Sequence, residues 1–304
     1  LCHPDFTKLV DWAVEAGFER IVLNTNGTFL KPQLAEFLAK LPTPVAVTVS
    51  VDGPAPLHDA WRGFGQHAQA TRAVKHCLAA GLDTRVFTVV SRATLARMKD
   101  FVQELFVRFP TLGGVHLIPL GTVGNPWVQN PNARKQTRVV SQTSPGLTAQ
   151  QIVDLGLLTA AFMLSGRSVR VLDYPLVNLV YKALGVPSTL VGSRCSACRN
   201  RVCVQADQTI TPCHPCAYPL GVYTPGSLAQ TTQKPVFQAI EKRAYQGCAT
   251  CPDRKICGHC RAVVFSATGD VLGNDGFCKH VKRALTGTGA ALKSQVAHMV
   301  QVLL

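Results

Sequence analysis

The sequence predicts an α/β protein: parallel βα units over residues 1–190, then a small cysteine-rich domain over 191–285 and a C-terminal helix over 286–304. Three observations predict it. Short Val-rich apolar runs alternate with segments of helical spacing. Polar turn residues gather after those runs, where parallel strands carry their working loops. Ten of the twelve cysteines fall between Cys195 and Cys278, a span of 84 residues.

The elements follow in order. Pro4 to Ala16 places Phe6, Leu9, Val10, Trp12 and Ala13 on one helical side, closed by Gly17. Arg20 to Asn24 reads as a short buried strand, followed by the turn Thr25-Asn26-Gly27-Thr28. A helix over Pro32–Ala39 leads to a strand over Pro44–Val51, ending in Asp52-Gly53-Pro54. The unit repeats with helices over 67–80, 93–109 and 147–164 and strands over 82–90, 114–120 and 168–172. The strand C-termini put Asn24-Thr25-Asn26, Ser50 with Asp52, Ser91-Arg92 and Pro119-Leu120 on one rim. Each is also an ordinary turn residue, so the weight rests on their joint position. Residues 121–146 form a long polar loop in which Arg134, Lys135 and Arg138 could face an acidic substrate or simply water.

Apolar residues make up 47% of the chain and charged residues 16%, a globular composition. No apolar run reaches the length of a membrane span, and no signal peptide opens the chain, so a cytoplasmic location is expected. The net charge of +14 is scattered without basic-aromatic motifs, which argues against nucleic acid and leaves room for an anionic substrate.

In a reducing compartment structural disulfides are rare, so clustered thiols point to a soft metal. Cys198 and Cys213 flank a strand-like stretch, Val202 to Thr211. Then come Cys248-X2-Cys251-X5-Cys257-X2-Cys260 and a final Cys278. CxxC knuckles serve zinc as well as iron–sulfur clusters. Zinc ribbons, however, space their two pairs by about fifteen to twenty residues, and five is too few. On spacing, iron–sulfur leads.

The stretch CATCPDRKICGHCRAVVFSATGDVLGNDGFC resembles the SPASM domain, the C-terminal extension of many radical S-adenosylmethionine enzymes. Cys198, Cys213, Cys248, Cys251, Cys257, Cys260 and Cys278 match its signature, with two departures. Gln208 stands where a Gly is expected, and the Cys257–Cys260 gap is two residues where three is usual. HPDFTKLVDWAVEAG, IVLNTNGTFL and VSVDGPAPLHDAWRG resemble the radical SAM barrel core from its second strand onward. The resemblance implies a partial (βα)6 barrel lacking its first strand or strands. The Cys-X3-Cys-X2-Cys loop that holds the cleaving cluster is expected upstream of Leu1, and the chain as it stands is expected to be inactive alone.

By the same resemblance Ser50 and Arg62 would contact S-adenosylmethionine, with Asn24, Asn26 and Asp52 lining that pocket. Cys198, Cys213 and Cys260, completed by Cys195 or Cys203, would hold one auxiliary [4Fe–4S] cluster, and Cys248, Cys251, Cys257 and Cys278 a second. Cys216 is left over, and Cys2 and Cys77 read as incidental. His214 occupies the place of an acidic catalytic residue in sulfatase-maturing relatives and could act as acid or base; a loop histidine in a proline-rich turn is the plainer reading. His259 could hydrogen-bond a cluster sulfur. The implied activity is radical modification of a ribosomal peptide or protein, or alternatively of a haem or haem d1 precursor, with a reductant such as ferredoxin or flavodoxin. The non-enzymatic alternative is a cysteine-rich zinc or electron-transfer module.

Overall fold

A computed structural model describes residues 1–120, 146–187, 189–190, 195–257, 259–286 and 289–303. Arg134, Lys135 and Arg138 lie outside the described residues. The chain divides into two compact units, one of residues 1–118, 162–170 and 300–304, the other of 119–161 and 171–299.

The first three strands are β1 (Ile21–Thr25), β2 (Val45–Ser50) and β3 (Asp83–Val90). With β4 (Gly114–Pro119) and β5 (Val169–Val171) they form a five-stranded sheet in sequence order, the α/β sheet expected from the alternation. β1, β2 and β3 pair in parallel, with Thr25 opposite Val49 and Ser50 opposite Phe87. Their C-terminal ends therefore share one edge. The connecting helices are α1 (Phe6–Glu15), α2 (Pro32–Ala39), α3 (Ala55–Arg62), α4 (Gln66–Ala79) and α5 (Met98–Arg108). Every residue of β2 before Ser50 is buried, as befits a parallel strand covered on both faces. β3 instead alternates, burying Thr84, Val86, Thr88 and Val90.

The turn after β1 needs its glycine. Gly27 has φ +85°, and a Cβ there would sit 2.8 Å from that of Ala73 on α4. Cys77, on the same helix, is buried among Ala70, Ala73 and Val74, and burial pushes its thiol up to about 12. Cys2 is exposed.

The remaining elements are α6 (Ala149–Leu164), α7 (Val177–Leu184), β6 (Cys203–Val204), β7 (Thr209–Thr211), β8 (Gly221–Val222), α8 (Ser227–Thr232), α9 (Pro235–Glu241), α10 (Arg261–Thr268), α11 (Phe277–Leu285) and α12 (Gly289–Leu303). β6, β7 and β8 form a small antiparallel sheet. The strand-like stretch expected over Val202–Thr211 is thus a hairpin, turning at Gln208 with φ 66°. In this second unit α6 packs closely on α7. A Cβ on Gly156 would lie 2.7 Å from Val180, and Thr159 Oγ1 meets the Tyr181 hydroxyl at 2.7 Å.

Candidate metal centre: two sets of thiols

The rim of the first unit brings Asp52 and Arg62 together. Arg62 Nε donates to Asp52 Oδ2, and Asp52 Oδ1 accepts the Val89 amide at 2.9 Å. The Asp52 amide in turn donates to Nδ1 of His58, a buried imidazole whose pKa is lowered chiefly by its burial. Asp52 therefore locks the β2 end against β3. Ser50 is half-buried two residues before it, Asn24 is exposed, and Asn26 Oδ1 accepts the Thr28 amide at 3.1 Å.

In the second unit Cys198, Cys213, Cys216 and Cys260 share one buried apolar cluster with Ala197, Ile210, Leu220 and Ile240, and Cys195 packs against it. Cys195, Cys213 and Cys260 also line a cavity with Asp173, Arg201 and Arg261. The local sequence explains the gathering. Cys195-X2-Cys198 and Cys213-X2-Cys216 are two knuckles at the feet of the β6–β7 hairpin, and the Cys216 amide closes one by donating to the Cys213 carbonyl at 3.1 Å. Cys260 is the N-cap residue of α10, with no side-chain capping hydrogen bond.

Burial raises the thiols of Cys198 and Cys260 to about 12. The Cys213 thiol is raised further, first by its hydrogen bond to Cys216, and that same bond lowers Cys216. The raised thiols stay protonated and unreactive until a cation replaces their protons. Cys216, which the spacing alone left over, lies in the same buried cluster; the signal for its position was the repeated CxxC knuckle. Cys203 lies outside that cluster, its sulfur against the Val204 carbonyl at 3.8 Å. His214 is exposed beside Cys213, its carbonyl accepting from Gln205 Nε2 at 3.4 Å.

Cys248, Cys251 and Cys278 form a second set. Burial raises the Cys248 and Cys278 thiols, and Cys251 adds to the rise in both. Cys257 is buried near them in sequence, its amide on the Asp253 carbonyl at 2.9 Å. Asp253 fastens the segment from two sides, at 2.6 Å from Lys182 of α7 and 2.6 Å from Lys282 of α11. The Asn178 amide adds a bond to the Ile256 carbonyl, and Lys282 Nζ reaches Cys251 Sγ at 3.4 Å.

The donor chemistry, buried and half-buried thiols in CxxC knuckles, suits iron–sulfur clusters and zinc alike. One more atom fits a bound group. His259 Nδ1 meets Asp275 Oδ1 at 3.1 Å, while its Nε2 is buried with no partner among the described residues.

Comparisons with known proteins agree with this architecture. Residues 1–105 match the Radical SAM superfamily model. Mycofactocin maturase MftC of Mycobacterium ulcerans is 32% identical over 171 residues, which is 54% of this chain and 46% of that protein. The AdoMet-dependent heme synthase of Nitratidesulfovibrio vulgaris is 25% identical over 303 residues, 94% of this chain and 78% of that one. Among solved structures, anSMEcpe with bound AdoMet superposes with a TM-score of 0.65 at 17% identity, covering 98% of this chain and 78% of that one. Streptococcus suis SuiB bound to precursor peptide SuiA gives 0.63 at 12%, covering 91% and 63%. The chain spans less than half the length of the mycofactocin maturases it matches. Among the described residues no helix is long and apolar enough to cross a membrane.

Proposed function

We propose that the intact protein is a radical SAM enzyme with a SPASM domain that modifies a ribosomal peptide or protein. The observation that carries the reading is the interleaving of the thiols. Cys260 lies in the buried cluster with Cys198 and Cys213, although in sequence it follows Cys257 of the other set. That crossing is what the SPASM resemblance implies. Cys195, Cys198, Cys213 and Cys260 would hold one auxiliary [4Fe–4S] cluster and Cys248, Cys251, Cys257 and Cys278 a second.

The superfamily's cofactors, a [4Fe–4S] cluster and S-adenosylmethionine, supply reductive generation of a 5′-deoxyadenosyl radical. The chain's own residues position what reacts. Asn24, Asn26 and Ser50 offer amides and a hydroxyl at the shared strand edge for the ribose and carboxylate of S-adenosylmethionine. Asp52 holds Arg62 at that edge by the ion pair already described, which orients the guanidinium fork. His214, exposed beside Cys213, would exchange a proton with a substrate. Electrons enter from a reductant such as ferredoxin or flavodoxin.

A second reading is modification of a haem precursor, favoured by the heme synthase match across 94% of this chain. The test is anaerobic turnover by the full-length gene product with a chemical reductant. Formation of 5′-deoxyadenosine with a mass change in a precursor peptide supports the first reading, and a mass change in a haem precursor the second. A fully iron-loaded protein that forms no 5′-deoxyadenosine with either would sink both and leave an electron-transfer module; zinc in place of iron would leave a zinc module.

A further inference from the structure

Arg261 is the largest fully buried side chain among the described residues, 1% exposed. Its guanidinium lies over the Tyr245 ring at 3.8 Å from the centroid. Its Nη1 donates to the carbonyls of Gly273 at 2.9 Å and Val271 at 3.3 Å, and its Nε to that of His259 at 3.4 Å. Carbonyls and a ring satisfy its donors but do not neutralise its charge. Among the described residues no carboxylate forms an ion pair with it; Asp275 is engaged by His259. A buried guanidinium without a counter-charge is expensive. What surrounds this one is sulfur. Arg261 lines the cavity with Cys195, Cys213 and Cys260, and the Tyr245 on which it stacks accepts the Cys248 amide at its carbonyl, 3.1 Å away.

We propose that Arg261 is the internal counter-charge shared by both thiol sets, and that it raises the reduction potential of the clusters they hold. The inference rests on the iron–sulfur reading above. A fixed positive charge stabilises the reduced, more negative state of each cluster, and its hydrogen bonds keep it from swinging to water. Arg261 is a positioning residue for electrons and touches no substrate.

The test is an anaerobic redox titration of the iron-loaded full chain followed by electron paramagnetic resonance, comparing wild type, Arg261→Gln and Arg261→Lys. If the wild type holds no iron and sulfide, the iron–sulfur reading fails. With iron retained, Arg261→Gln is expected to shift the reduction equilibrium of both clusters at least tenfold toward the oxidised form, about 59 mV more negative for one-electron couples. Unchanged potentials in an iron-loaded Arg261→Gln protein would overturn the inference. If Arg261→Gln loses its iron, Arg261→Lys decides, since it keeps the charge and drops the fork. Iron retained with potentials near wild type supports a counter-charge, whereas the same loss as Gln assigns Arg261 to holding the loop alone.

Discussion

The unit that carries the parallel sheet and the unit that carries the thiols are built by different means. In the first, Val45, Val47, Val49, Val86, Val90, Val115 and Leu117 fill the core from strands several residues long. In the second, β6 and β8 have two residues each, and cysteines stand in the core where aliphatics would otherwise be. The backbone differs too. All the non-glycine residues with positive φ among the described residues belong to the second unit: Asp173, Cys198, Gln208, Arg243 and His259. At about 1–2 kcal/mol each, five such residues cost on the order of 5–10 kcal/mol, as much as a typical domain's whole stability. A structural metal site contributes about 10–16 kcal/mol, enough to offset it. The first unit is thus held by apolar burial, and on the reading proposed above the second depends also on what its thiols bind.

Removing iron should break this contrast most visibly. Anaerobic chelation is expected to abolish hydrogen-exchange protection around residues 195–216 and 248–278 while the amides of β2 and β3 keep theirs. Equal loss in both units would mean that the metal holds the whole chain. A smaller effect separates the cysteines. Cys260→Ser should lower bound iron by about half, one cluster of two, while Cys203→Ser leaves it unchanged. Iron lost in the Cys203 variant would reverse the choice of ligand.

The first unit has its own acid-sensitive point. His116 on β4 is buried against Phe87, its Nδ1 without a partner among the described residues. Burial, ahead of the charges of Arg85 and Arg170, lowers its pKa from 6.5 to about 4. The unfolded chain therefore binds this proton first as pH falls. The resulting loss of stability begins near 6.5 and is complete near 4, reaching about 3 kcal/mol. His116→Phe should flatten that slope in denaturant titrations across the window; an unaltered slope would place the imidazole in water. The least effect is expected at the hairpin turn. Gln208→Gly should stabilise the iron-loaded protein by at most about 1 kcal/mol, because glycine adopts φ 66° without a Cβ clash. A destabilised variant would show that the Gln208 side chain has a role of its own.

These differences also explain what the sequence revealed. β2 was legible because PVAVTVSV is a continuous buried run, and α2 because Pro32 starts it in register. α10 and α11 were not, since cysteines, turn residues and Arg261 interrupt the apolar period a helix needs. The thiol block was legible as a block, but its partition was not. Cys195 lies three residues before Cys198 and Cys203 five after it, and the fold puts Cys195 against the buried cluster and Cys203 on β6. The departure at Gln208 was legible as a substitution, while its cost needed the backbone.

The most direct measurement is the iron, acid-labile sulfide and zinc content of the anaerobically purified chain. Two four-iron clusters predict about eight iron and about eight sulfide per chain, with zinc near zero. One or two zinc ions per chain without sulfide would contradict the account, and the thiol sets would then be structural knuckles with no part in radical chemistry.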